Sequence, residues 1–119
     1  MSVERNYYVI AGYDLTDWNT DKYEDWKWTE EGENYTYNQV KGKIQFFDDP
    51  MNGTHLYLGY ILAEIDMWNS ETSMFDVDDI KNKKGQVEAE LVKLRELGII
   101  SKDPKFIPEY KVIVFEECR

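Results

Sequence analysis

The chain contains one cysteine, one histidine and three prolines in 119 residues. With Cys118 alone, no disulfide and no cysteine-built metal site can form within the sequence. It lacks an identifiable activating environment and reads as an inert thiol. His55 alone rules out paired-histidine metal motifs, and no P-loop, G-x-G-x-x-G, G-x-S-x-G or H-E-x-x-H pattern occurs. Long apolar runs are also missing: none approaches the ~20 residues that span a bilayer. The N-terminus lacks a basic stretch followed by an apolar one. Cations are scarce as well, 14 Lys and Arg against 24 Asp and Glu, a net charge of -10. Such a charge repels nucleic acid and anionic membranes and favours basic partners. A soluble, cytoplasmic protein with no cofactor, no direct nucleic-acid contact and no membrane contact is expected. The N-x-T sequons at Asn34 and Asn52 are then chance.

Aromatic residues, by contrast, are plentiful: nine Tyr, five Phe and four Trp, 15% of the chain, within 42% hydrophobic residues overall. That composition overrides the disorder that high charge alone would suggest. A single globular domain over 1–119 is expected from the length.

The spacing predicts a helix over 76–98. Ile80, Val87, Leu91 and Leu94 share one face, although Lys84 falls in the same register and interrupts the stripe. Asp76 is placed to cap it, Asp78 and Asp79 face its positive end, Lys93 and Arg95 its negative end, and Gly98 stops it. Strands are predicted over 6–14, 35–47, 54–65 and 110–116. Both parities of the first are apolar (Tyr7, Val9, Ala11 and Tyr13 against Tyr8 and Ile10), which suits a central strand. Glu4 and Arg5 read as a short tail, and Gly42 as a bulge or close approach. The turn at 48–53, with Pro50 and Gly53, makes the second and third strands a hairpin, and 66–75, carrying Trp68, is a polar connection. The order β-β-β-α-β predicts an α+β fold, a mostly antiparallel four-stranded sheet with one main helix on one face.

Residues 14–34 have no clean period and read as a long loop, a length that is often functional. They hold eight acids against Lys22 and Lys27, so -6 of the net charge lies in 21 residues, along with Trp18, Trp26 and Trp28. Interleaved carboxylates and indoles can dock on a basic surface, the charges pairing with Lys and Arg while rings stack on guanidinium groups. Spaced carboxylates can also imitate a phosphate backbone. Asp17, Asp21, Glu24, Asp25, Glu30 and Glu31 are the candidate charges, with Trp18 and Trp26 as anchors. The plain alternative is a solvated loop pinned to the core by its tryptophans, and Trp26 and Trp28 alternate as a strand would. Asp17, Asn19 and Asp21 match the first half of a calcium loop, but Lys22 stands where glycine is needed and Trp28 where a bidentate Glu is needed.

No enzyme is indicated. His55 and Glu64 are nine residues apart, so within one regular strand they would face opposite ways. Lys81, Lys83 and Lys84 are interspersed with Asp76, Asp78 and Asp79, which makes a solvated helix face. Small size, acidity and absent catalytic motifs are shared with many phage-encoded inhibitors of host proteins and with bacterial immunity proteins; no particular residues carry that resemblance. The leading expectation is a non-enzymatic acidic protein that inhibits or sequesters a basic, nucleic-acid-handling protein. A second is a small-molecule or nucleotide binder, or an unusual enzyme, with a pocket of Tyr35, Tyr37, Tyr57 and Tyr60. A third is an assembly module that forms a homodimer through a sheet edge or the helix.

Overall fold

The computed structural model describes residues 5–37, 40–48, 55–66 and 74–118. Most of the turn at 48–53 and Trp68 of the connection lie outside these residues. Strand β1 (Arg5–Asp14) is the centre of the fold. It pairs antiparallel with β3 (Leu56–Asp66) on one side and with β4 (Lys111–Cys118) on the other. Strand β2 (Ile44–Asp48) adds to the far side of β3, which makes the order β2-β3-β1-β4. The centre falls to β1 because its residues are apolar at both parities: Tyr8, Val9, Ile10, Ala11 and Tyr13 are all buried. Arg5, read as tail, pairs with Cys118 at the start of this strand.

Helix α3 (Val77–Glu96) lies across one face, so the fold is α+β with an antiparallel four-stranded sheet and one main helix. Asp76 caps it through a 2.9 Å bond from the Asp78 amide, and Gly98 takes a φ of 76° just past its end. Val87, Leu91 and Leu94 pack with Tyr13, Phe46 and Leu58 in the main core. Ile80 is only half-buried, Lys84 is exposed, and Gly85 faces open space, so the C-terminal half of the helix provides most of the packing.

The segment over 14–34 is not a loop. It folds as a 3₁₀ turn at Thr16–Trp18, helix α1 (Asp21–Trp26) and the start of helix α2 (Glu30–Thr36). Each short helix starts at a threonine: the hydroxyls of Thr20 and Thr29 accept from the Tyr23 and Gly32 amides. Helices of six and seven residues are unstable alone. Tyr23 and Trp26, three residues apart, anchor α1 by burying their rings against Phe46 at 5.5 and 5.9 Å. The strand expected from 35 onward is correspondingly shorter. Its first residues complete α2, Gly42 turns the chain at a φ of 93°, and the strand itself begins only at Ile44, just after Gly42 and Lys43 bond to Ile61.

The sheet's second face is also closed. Tyr8, Ile10, Phe47 and Ile61 are buried there, with Tyr57, Ile113 and Phe115 around them. Phe47 and Phe115 sit on opposite edge strands, which a flat sheet would separate by ~14 Å at three strand spacings. Their rings are 5.0 Å apart. The sheet therefore coils around this face and buries it without a second helix. Gly12 and Gly59 pair directly at this point, and a Cβ on Gly12 would lie 2.0 Å from the Leu58 carbonyl oxygen. A bulge accompanies the coil: Val9 opposes Ala63 while Ile10 opposes Ile61, which leaves Leu62 as the extra residue.

Candidate protein-binding surface

The exposed acids of the 14–34 segment are distributed by its two short helices. On α1, Tyr23 and Trp26 point into the core, while Asp21, Glu24 and Asp25 are exposed. On α2, Glu30 and Glu31 occupy the exposed first turn, where the helix dipole favours them. Asp17 is exposed on the preceding 3₁₀ turn.

Both cations of the segment are engaged within the domain, Lys22 at the surface and Lys27 half-buried. The Lys22 ammonium donates to the Leu97 carbonyl at the end of α3, at 2.6 Å. Lys27 reaches Glu24 at 3.0 Å and Asp48 at 3.2 Å. Burial lowers the Lys27 pKa, but its bond to Glu24 and the charge and bond of Asp48 outweigh that, and the net shift is upward. Asp48 also accepts from the Tyr23 hydroxyl at 3.1 Å. Burial, and then the charge of Asp48, hold that phenol far above its usual range. Glu31 approaches Lys93 at 3.9 Å, both exposed, a contact worth little. Asp17, Asp21, Asp25 and Glu30 form no ion pair among the described residues.

The tryptophans divide differently from the expectation. Trp18 is 5% exposed and Trp26 8% exposed, so neither presents a ring to a partner while the domain is folded. Trp18 lies under the Arg95 guanidinium, 4.7 Å from its ring centroid, and against Phe106. Trp26 packs against Tyr23, Tyr35 and Phe46. Both are core anchors because the turn and α1 leave them no other apolar contact. Trp28, in the link between the helices, is 67% exposed, and its ring lies 5.4 Å from the Lys27 ammonium. Among the described residues it is the indole available to a partner, and its parity with Trp26 gave no signal of this.

Other groups considered from the sequence are dispersed. Asn19 forms a β-bridge with Ile100 and Asp21 begins a helix, so the half-matched calcium pattern does not wrap around a point. No cluster of three metal-ligating side chains occurs among the described residues. Tyr57 lies on the coiled face, whereas Tyr35 and Tyr60 pack with the helix-side core and Tyr37 is exposed. The four tyrosines thus line no common pocket. The cavity beside Tyr60, bounded also by Lys41, Leu62, Phe75 and Asp79, has a volume of about 80 Å³, well below the ~300 Å³ of ordinary ligand sites.

His55 and Glu64 do not face opposite ways. The Leu62 bulge reverses strand parity, so His55, stacked on Tyr57 at 4.7 Å, and Glu64, opposite Tyr8, lie on the same face. Nine residues still separate them by roughly 25–30 Å along the strand, too far for direct contact. No family model matches the chain, and neither a curated protein nor a solved structure does.

Proposed function

We propose that this chain is a non-enzymatic binding protein that sequesters or inhibits a basic protein, with nucleic-acid-handling proteins of the cytoplasm as the first candidates. One observation carries the reading: Asp17, Asp21, Asp25 and Glu30 are exposed, unpaired among the described residues, and grouped in sequence around the exposed Trp28. A solvated helix surface normally interleaves both signs, whereas here Lys22 is tied to the Leu97 carbonyl and Lys27 to Glu24 and Asp48, so the exposed acids outnumber the cations beside them. The carboxylates steer encounter and set the salt dependence, while Trp28 stacks on a guanidinium or fills a pocket and sets the lifetime of the complex.

The test is capture of basic partners at low and high salt, with identification of what is retained, followed by affinity measurement for the identified partner. Neutralising Asp21, Glu24 and Asp25 to Asn, Gln and Asn should weaken binding, more at low salt than at high, because screening already suppresses the native attraction. The urea midpoint should stay nearly unchanged. A triple variant that binds every retained partner as the native chain does would refute the reading.

A further inference from the structure

We propose that β4 is a dimerisation edge, the outer side of Lys111–Cys118 pairing antiparallel with the same strand of a second copy about a two-fold axis at Val114. Natural sheets blunt their open edges with short strands, proline, bulges or a covering element. Strand β2 follows that rule: it has five residues and α2 packs against it. Strand β4 does not. It runs for eight residues without proline, its register with β1 has no shift, and no described strand pairs with its outer side. Val112 and Val114 are 45% and 64% exposed on it, on the face where α3 covers β1 and β3.

The charges of the strand favour one self-pairing, the one that sets Lys111 opposite an acid. A two-fold axis perpendicular to the sheet keeps faces matched only when it passes through a residue. An axis at Val114 sets Val114 opposite itself, Ile113 opposite Phe115, and Lys111 opposite Glu117. Ile113 and Phe115 are then matched and Lys111 lies opposite an acid position at both ends, while Val112 falls opposite Glu116. An axis at Ile113 would set Glu109 opposite Glu117, and one at Phe115 would set Ile113 opposite Glu117 and Val114 opposite Glu116. The result is an eight-stranded sheet. Because α2 lies at the β2 edge, the two acidic layers would sit at its far ends, open and bivalent. The dimer does not depend on the acidic layer binding anything.

Sedimentation equilibrium over a concentration series tests this. The native chain should approach twice its monomer mass. Val114→Lys puts two ammonium groups at the axis and should hold the protein monomeric, with its circular dichroism unchanged because the position is exposed. Lys111→Glu should raise the dimer dissociation constant about tenfold, since it converts two attractive cross-strand pairs into repulsive ones. Adding Glu117→Lys to it should bring the constant back to within about threefold of the native value. A native chain that stays monomeric at roughly millimolar concentration would overturn the proposal, since effective interfaces saturate well below that. So would a dimer that neither substitution weakens. Should Val114→Lys misfold, Lys111→Glu and its rescue by Glu117→Lys decide the matter alone.

Discussion

Gly12→Ala tests whether the coiled sheet depends on its glycine contact. The added Cβ would lie 2.0 Å from the Leu58 oxygen, 2.5 Å from the Gly59 Cα and 2.8 Å from the Leu58 carbonyl carbon. All three are backbone atoms, so no side chain can swing aside. Relief requires β1 and β3 to separate by more than 1 Å at the point where the sheet coils over Tyr8, Ile10, Phe47 and Ile61. Overpacking a well-fitted site costs ~1–3 kcal/mol, and a backbone clash within a strand pair belongs at the top of that range. With a urea slope of ~1.5 kcal/mol/M for a chain of this size, a loss of ~3 kcal/mol lowers the midpoint by ~2 M. Gly85→Ala provides the opposite control. That glycine is inside α3, and a Cβ there meets nothing within 4 Å. Removing its backbone freedom should stabilise the domain by ~0.5–1 kcal/mol and raise the midpoint. The reasoning is refuted if Gly12→Ala moves the midpoint by less than ~0.5 M.

Truncating the tryptophans should separate core from surface: Trp26→Ala should cost ~3–5 kcal/mol, and Trp28→Ala less than ~0.5 kcal/mol. Urea midpoints would read both, and equal losses would place Trp28 in the core after all. Arg95 donates to the carbonyls of Ser101, Asp103 and Phe106 while stacking on Trp18. Lysine cannot reproduce that planar fork, so Arg95→Lys should cost ~2 kcal/mol and expose the 101–106 segment to proteolysis. Alkaline pH should destabilise the domain through Tyr23, whose phenol is held neutral by burial and by Asp48. Its folded pKa is raised, so its contribution is complete below the unfolded value near ~10 and falls above it by about 1.4 kcal/mol per pH unit. Tyr23→Phe should flatten the decline of the urea midpoint between pH ~10 and ~11.5; an unchanged decline would assign it to other tyrosines.

What local sequence determined was the set of long elements and their ends. Asp76 and Gly98 bracket α3 because a carboxylate satisfies its first amides and a glycine tolerates the left-handed turn after it. The doubly apolar run from Tyr7 to Tyr13 required a strand with neighbours on both sides, and the exposure of Asp21, Glu24 and Asp25 followed from the cost of burying charge. Thr20 and Thr29, each followed by acids, were the readable signals for α1 and α2. Their helical period was too short to register, because six or seven residues become helical here only once Tyr23 and Trp26 find Phe46 on a strand twenty residues away. The same long-range contacts decided which tryptophans are core and left Trp28 outside. The Leu62 bulge, which brings His55 and Glu64 to one face, depends on the register between β1 and β3, and register is a property of the pair. The coil that closes the second face is likewise tertiary: it needs Gly12 against Gly59 and the rings of Phe47 and Phe115 from opposite edges, which no single stretch of chain contains.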